Sequence, residues 1–277
     1  MFYNTVNIDL GIKEIRQITG FIKEKHGLDF GDFAMTALKR RVEGFMSAQK
    51  VGMETLMNNL ASKDYVDLFA SYIVVKDTEL FRDPTFWILL KNNYIANIIK
   101  EHSRAKIWLP MCASGEEYFS LAILLKESGY FDRVEIVVTS FSNTTLDQIQ
   151  RGLMESEKLE ISTRNYSRFQ GISQLSNYSK TQGASVVFDK SLMANTKFYK
   201  EDQNFNHDIV HMNLILFRNK MIYFNSTLQY KVCDIMYNKL APKGLLVLGI
   251  LEEIDVNSPS NKFAILNKEE SIYQRKN

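Results

Sequence analysis

A run of small residues followed by two acids is the first feature of this sequence that could carry chemistry. Residues 108–117 read Trp-Leu-Pro-Met-Cys-Ala-Ser-Gly-Glu-Glu, so an apolar stretch leads through Ala113 to Glu116 and Glu117. Small residues at the carboxyl end of a strand let the backbone approach a ligand closely. The segment is therefore a candidate cofactor loop, but the two carboxylates would equally complement the positive end of a helix dipole.

A second candidate segment, residues 78–84, reads Thr-Glu-Leu-Phe-Arg-Asp-Pro and lies at the junction between two regions of different pattern. Taken alone, it favours a helix cap and a turn in which Arg82 pairs with Asp83 at the surface.

A third candidate segment follows an apolar run at 214–217. Arg218 and Asn219 would leave the carboxyl end of that strand together, where fixed donors can orient a ligand. Tyr223 is suited either to a buried hydroxyl with one partner or to a substrate-orienting role. His207 and His211 share an i, i+4 spacing, but the surrounding pattern is typical of a strand, so we predict no metal site.

The elements that must position these segments alternate along the chain after residue 84. Short apolar runs predict strands at 107–109, 134–138, 214–217 and 245–249, and amphipathic stretches predict helices at 118–127, 144–153 and 226–240. This order is typical of a parallel sheet with helices on both faces. The polar, serine-rich stretch 164–196 predicts an inserted β unit, because a structureless loop of that length is unusual.

The region before these elements predicts helices only. Ile15, Ile18, Phe21 and Ile22 form one apolar stripe, and similar spacing recurs to about residue 69. We therefore divide the chain into a helical subdomain, residues 1–75, and a second domain, residues 76–277.

Composition narrows the function classes. The 34 basic and 32 acidic residues give a net charge of +2, which provides no overall field for nucleic acid. No uncharged stretch is long enough for a membrane span, and no export signal is present, so we expect no membrane insertion. Cys112 and Cys233 match no disulfide framework or zinc site, which favours a reducing cytoplasm.

Together, and in this order, the three segments resemble the CheR family of chemoreceptor glutamate methyltransferases. The resemblance extends over nearly the whole chain. It is carried by Thr78, Phe81, Arg82 and Asp83, by the loop 113–117, by residues 217–224 and by the late strand around 240–249.

The resemblance implies a fold, a cofactor and a set of site residues. The fold would be a Rossmann-like domain dependent on S-adenosylmethionine, with S-adenosylhomocysteine as product, preceded by the helical subdomain and containing the small β-subdomain. The reacting centre would use Arg82 and Tyr223 as catalytic residues. The implied cofactor-binding residues are Thr78, Arg82, Ala113, Glu116, Glu117, Ser140, Asp202, Arg218 and Asn219.

The sequence departs from the family pattern after the second predicted strand. The family has an Asp-x-Asp pair there, whose acid can take both ribose hydroxyls, whereas this chain has Ser140 and Ser142. Losing a charge-assisted hydrogen bond costs about 1–3 kcal/mol, or roughly ten- to hundredfold in affinity. Asp202 remains able to accept from the adenine amino group.

Two functions remain open from the sequence. The first is an active protein-glutamate O-methyltransferase of chemotaxis adaptation, and the second is a CheR-like binding module with weakened or absent catalysis. In either case the expected partner is the cytoplasmic domain of a bacterial chemoreceptor, docking on Lys39, Arg40 and Arg41. Without the resemblance, that basic cluster would be interpreted as a solvated helix face.

Overall fold

The structure, a computed structural model, describes residues 8–74, 78–202, 205, 208–254 and 262–276. The predicted domain boundary after residue 75 lies outside the described residues, and so does His207.

Helices and strands alternate over the second half of the described chain, whereas the first part is helical. The helices are α1 (Ile12–His26), α2 (Met35–Gln49), α3 (Met53–Asn59), α4 (Lys63–Ile73), α5 (Pro84–Leu89), α6 (Ala96–Glu101), α7 (Glu116–Glu127), α8 (Asn143–Gln150), α9 (Leu159–Arg168) and α10 (Ser226–Lys239). The strands are β1 (Ala105–Leu109), β2 (Val134–Ser140), β3 (Leu153–Glu155), β4 (Ser179–Gln182), β5 (Ser185–Phe188), β6 (Thr196–Lys200), β7 (Met212–Leu216), β8 (Leu240–Val247), β9 (Phe263–Asn267) and β10 (Ile272–Arg275).

Seven of these strands form one sheet in the order β6-β2-β1-β7-β8-β10-β9. The pairs from β6 to β8 are all parallel, and β10 is antiparallel to both of its neighbours. The order runs outwards from β1 in both directions, so the loops after β1, β2 and β7 meet at one edge of the sheet. Ligands of doubly wound sheets bind at such an edge.

The two faces of the sheet carry separate apolar cores because successive side chains of a strand point to opposite sides. Ile107 and Leu109 of β1 pack with side chains of α5, α7 and α9. Trp108, between them, packs with α10 and with the helices before residue 75. The predicted fold class is therefore confirmed, and the N-terminal helices share a core with the sheet.

The predicted inserted β unit is present, but its strands differ from the range 164–196. A small antiparallel sheet in the order β3-β5-β4 begins at Leu153, which had been assigned to the preceding helix. That helix, α8, ends at Gln150. Thr196 opens β6, an edge strand of the main sheet that the sequence analysis missed. β6 lacks a clear alternation of apolar and polar residues, because an edge strand is largely exposed and Lys197 and Lys200 lie on it.

The carboxylate of Asp67 on α4 links the N-terminal helices to the segment that follows β2. It accepts hydrogen bonds from the Ser142 hydroxyl at 2.8 Å, from the backbone N–H groups of Asn143 (2.8 Å) and Thr144 (2.9 Å), and from the Thr144 hydroxyl at 2.9 Å. The Lys200 ammonium lies 2.7 Å away. Asp67 therefore supplies negative charge at the α8 N-terminus, where the helix dipole favours it.

These contacts determine the protonation state of Asp67. Burial by itself would raise the pKa of this carboxyl group, but hydrogen bonds from Lys200, from the backbone of Thr144 and Asn143 and from Ser142 lower the pKa well below its usual value. The group is therefore ionised wherever the protein is folded near neutral pH.

Within the described residues, no helix is both long and apolar enough to cross a lipid bilayer.

Replacing this carboxylate should destabilise the fold measurably. We expect Asp67→Asn to lower the free energy of unfolding by about 2–4 kcal/mol at pH 7, because the amide is uncharged and cannot accept from all five donors. Urea unfolding would measure the loss. The pKa of Asp67 is lower in the folded state, so its stabilisation is present above the unfolded value of about 3.9 and is lost as the pH falls. The difference between wild type and variant should narrow below about pH 4.

The matched control for this change is Asp64→Asn, on the same helix but exposed. It should alter stability by no more than about 0.5 kcal/mol. Equal losses in the two variants would contradict the role assigned to Asp67.

Candidate active site

A cavity of about 280 Å³ lies at the carboxyl edge of the sheet, where the loops after β1 and β7 meet the segment before α5. Its wall combines predicted site residues with apolar side chains from the N-terminal helices. The predicted residues that line it are Thr78, Arg82, Ala113, Glu117, Arg218, Asn219 and Tyr223. Tertiary structure thus brings together three segments that are far apart in the sequence.

Each of the three segments contains backbone in the left-handed region. Phe81 and Asp83 have φ of 51° and 57°, Met111 has φ of 50°, and Asn219 has φ of 58°. Such conformations cost of order 1–3 kcal/mol and persist where the surroundings hold them. Gly115, at φ +97°, could not carry a side chain without crowding, since a Cβ atom would lie 3.1 Å from the Ile149 side chain.

The buried guanidinium of Arg218 joins the three segments. It donates to Asp83 Oδ2 at 2.6 Å and lies 3.9 Å from Glu117 Oε1, and its side chain is only 3% exposed. Its guanidinium stacks over the Phe86 ring, 4.1 Å from the centroid. Removing one member of a buried ion pair would leave an uncompensated charge, so separating these segments is unfavourable. The network therefore holds the three segments of the cavity wall together.

The two acids of the candidate cofactor loop have different environments. Glu117 lines the cavity and accepts a hydrogen bond from the Lys220 ammonium at 3.2 Å. Glu116 is 1% exposed, bonds to the Ser114 hydroxyl and pairs with Lys158 at 2.8 Å. Glu116 therefore does not line the cavity, contrary to the prediction for a cofactor-binding residue, because the first helical turn directs it to the Lys158 side.

The loop after β7 is fixed by a second buried acid, Glu252. Its carboxylate accepts from the backbone N–H of Asn219 and of Gly249, both at 2.7 Å, and from that of Ile222 at 3.2 Å. These bonds tie the loops after β7 and β8 together and allow Asn219 to keep its left-handed conformation.

The Tyr223 side of the cavity is completed by the N-terminal helices. Phe33 lines the cavity, and its ring packs edge-on against Phe224 with centroids 5.2 Å apart. The backbone N–H of Ala34 donates to the Tyr223 carbonyl at 2.8 Å. Helix α2, which begins at Met35, therefore starts beside the cavity.

Cys112 also lines the cavity, as a buried thiol rather than a reactive thiolate. Burial raises the pKa of its thiol to about 12, and only the thiolate attacks.

The predicted ribose and adenine residues lie elsewhere. Ser140 is 2% exposed, and neither it nor Asp202 lines the cavity. Asp202 borders a different pocket, formed by α1, α4 and the end of β6. Between the loops, Phe141 is buried and packs with Phe205, with ring centroids 6.5 Å apart.

Sequence reasoning missed the cavity residues Lys220 and Phe33 and also Glu252, which supports a cavity loop. Glu252 follows the predicted strand 245–249, so its place after a strand was a usable signal. Lys220 is two residues from Arg218 in a segment already singled out. Phe33 gave no signal, because only folding brings the N-terminal region to this edge.

Comparison with known proteins assigns the chain that forms this cavity to a family. The family model described as "CheR methyltransferase, SAM binding domain" matches residues 76–272. A Pseudomonas putida protein that carries the name methyltransferase Cher3 is 26% identical over 264 residues, covering 95% of this chain and 96% of that protein.

Two further relatives carry the name chemotaxis protein methyltransferase. That of Listeria innocua is 25% identical over 259 residues and covers 92% of this chain and 95% of the relative. That of Borreliella burgdorferi is 22% identical over 265 residues and covers 91% and 92%. The chain belongs to the CheR methyltransferase family, with residues 76–272 as its S-adenosylmethionine-binding domain.

Proposed function

We propose that this protein transfers the methyl group of S-adenosylmethionine to glutamate side chains of a bacterial chemoreceptor in the cytoplasm. The observation that carries the proposal is one cavity that gathers Glu117, Arg82 and Tyr223 from three distant segments. The relatives named chemotaxis protein methyltransferase support the receptor as the acceptor.

The cavity fits the amino-acid end of the cofactor. Glu117 offers a carboxylate to an α-ammonium group, while Arg218 and Lys220 hold that carboxylate in place. The backbone of residues 111–115 lines the wall without bulky side chains other than Met111. Ser140 does not line the cavity and so offers no acceptor to the nucleoside end of the cofactor. The proposed reaction therefore assigns no role to Ser140.

The chemistry requires alignment more than proton transfer. The bound cofactor supplies an electrophilic methyl group on a sulfonium, and the acceptor carboxylate, with a usual pKa of about 4.3, is already ionised at neutral pH. A carboxylate oxygen bonds to the methyl carbon as the carbon–sulfur bond breaks, leaving a thioether and a methyl ester. Arg82 and Tyr223 would hold the acceptor in line, a contribution worth several kcal/mol.

A second candidate function is a CheR-like binding module without catalysis. It is favoured by the buried Ser140 and Ser142, which stand where the family has acids for the cofactor ribose. Titration calorimetry separates the two functions, because absence of heat with millimolar S-adenosylmethionine would rule out the enzyme.

The two neighbouring loop acids provide the first test of the assignment. We expect Glu117→Gln to weaken S-adenosylhomocysteine binding about tenfold or more, because it loses a charged acceptor facing the cavity. Glu116→Gln should change that affinity less than about threefold but lower stability by about 1–3 kcal/mol, through its buried pair with Lys158. Calorimetry and urea unfolding measure the two effects. The opposite ranking of affinities would reverse the assignment.

Methyl transfer itself tests the reacting centre. With labelled S-adenosylmethionine and a receptor cytoplasmic fragment, Arg82→Ala should reduce kcat by about 100-fold, since the acceptor carboxylate loses its positioning charge. Tyr223→Phe should cost roughly tenfold. The matched control is Arg104→Ala, an exposed arginine before β1 at the opposite edge of the sheet. Transfer unaffected by Arg82→Ala would refute its role.

Receptor docking on α2 is the remaining part of the proposal. The helix begins beside cavity residue Phe33, so a partner lying along it would reach the cavity mouth. Lys39 is already paired with Asp9 at 2.6 Å and lies 3.6 Å from Glu43, whereas Arg40 is exposed. Arg40 is therefore the member of the basic cluster best placed to meet an acidic partner.

Charge reversal at this position should weaken docking. We expect Arg40→Glu to reduce affinity for the receptor fragment about three- to tenfold at low salt and less at 0.5 M salt, because the Debye length shortens. Arg104→Glu is the control with the same charge change. If both variants bind like the wild type at low salt, α2 is not the docking surface.

A further inference from the structure

The ribose of S-adenosylmethionine has two hydroxyl groups that need acceptors once they leave water. At the carboxyl edge of doubly wound sheets this acceptor is usually an acid near the second strand. Ser140 ends β2 here, Ser142 caps α8, and the Ser142 hydroxyl already donates to Asp67. A site for the ribose therefore needs a carboxylate from another element.

Asp67 and Glu201 both bring a carboxylate to the end of β2, but their remaining hydrogen-bonding capacity differs. Asp67 accepts from Ser142, Asn143, Thr144 and Lys200, which occupy both of its oxygens. An acceptor so fully engaged has little capacity left for a ligand hydroxyl.

Glu201, unlike Asp67, has a carboxyl oxygen left to accept a hydrogen bond. It follows β6 directly, and its backbone N–H donates to the Ser140 carbonyl at 2.8 Å, which places it beside the missing acid. Its Oε2 accepts from the Thr139 hydroxyl at 2.5 Å. Its Oε1 is buried and has no hydrogen-bond partner among the residues that the structure describes.

The buried environment of Glu201 favours a hydrogen bond from an additional donor. Burial raises the pKa of the Glu201 carboxyl group to about 8. The Thr139 hydroxyl, the nearby Met111 backbone and Lys239 act to lower this pKa, whereas the charge of Asp202 acts to raise it. A buried acceptor without a donor is destabilising, and a ligand hydroxyl would remove that penalty.

Glu201 also lies between the two cavities that the cofactor would need. Met111, whose backbone contacts the Glu201 carboxyl group, lines the cavity that holds Glu117. Glu201 itself and Asp202 line the pocket between α1, α4 and β6. An acceptor at this position suits the sugar that links the amino-acid end to the base.

We propose that Glu201, directly after β6, accepts the ribose hydroxyls of S-adenosylmethionine in place of the acids absent from positions 140 and 142. Asp202, next in the chain, then faces the base. This inference rests on the cofactor of the proposed function and assigns the half of the site that Ser140 does not provide.

The experiment compares ligands that differ by one hydroxyl. Calorimetry at pH 9, where Glu201 with its pKa of about 8 is largely ionised, would measure S-adenosylhomocysteine and its 2′-deoxy and 3′-deoxy analogues against the wild type and Glu201→Gln. In the wild type, the loss of a hydroxyl should weaken binding about tenfold. In Glu201→Gln, S-adenosylhomocysteine should bind about ten- to hundredfold more weakly, and the deoxy analogues should bind within about threefold of it.

The amide has nearly the same shape as the carboxyl group, so the variant is expected to fold, and an unfolding curve checks this. Glu127→Gln is the control, since Glu127 is a carboxylate held by Tyr166 and Tyr178, away from the end of β2. Its discrimination against the deoxy analogues should equal that of the wild type. Undiminished discrimination in Glu201→Gln would overturn the assignment of Glu201 alone. A wild type that binds none of the three ligands would overturn both this inference and the proposed cofactor.

Discussion

The buried Arg218 guanidinium is the interaction on which the cavity depends. It pairs with Asp83 before α5, approaches Glu117 at the start of α7 and extends from the end of β7. A charge this deeply buried is tolerated only with partners, because desolvation costs several kcal/mol per ion. The arrangement therefore links the positions of three segments.

A second constraint acts at the neighbouring end of β2, where negative charge comes from outside the loop. The start of α8 has a serine N-cap, Ser142, and the charge that its dipole favours arrives from Asp67 on α4. Glu201, directly after β6, brings another carboxyl group. The N-terminal helices are thus part of the site, since one of them supplies an ion to the sheet edge and another begins beside Tyr223.

The cavity and the end of β2 correspond to two separate requirements of the proposed methyl transfer. The reacting centre needs positioned donors and an ionised acceptor, and Arg82 and Tyr223 lie in one cavity with Glu117. In the proposed site, cofactor binding uses acceptors spread along a longer path, and the acceptor assigned to the ribose follows β6 rather than β2.

The sequence by itself determined the local elements and the order of the site segments. Strand and helix periodicity is a local property, so β1, β2, β7 and α7 were predictable, as were Arg82, Glu117 and Arg218 as members of one site. It could not separate Glu116 from Glu117, because the direction of each side chain depends on where the first turn of α7 meets Lys158 and Lys220. It also missed β6, whose exposed edge carries lysines, and with it the place of Glu201. Only tertiary structure brought Asp67 and Glu201 to the end of β2, because burial and hydrogen bonding between residues far apart in the chain have no signature in local spacing.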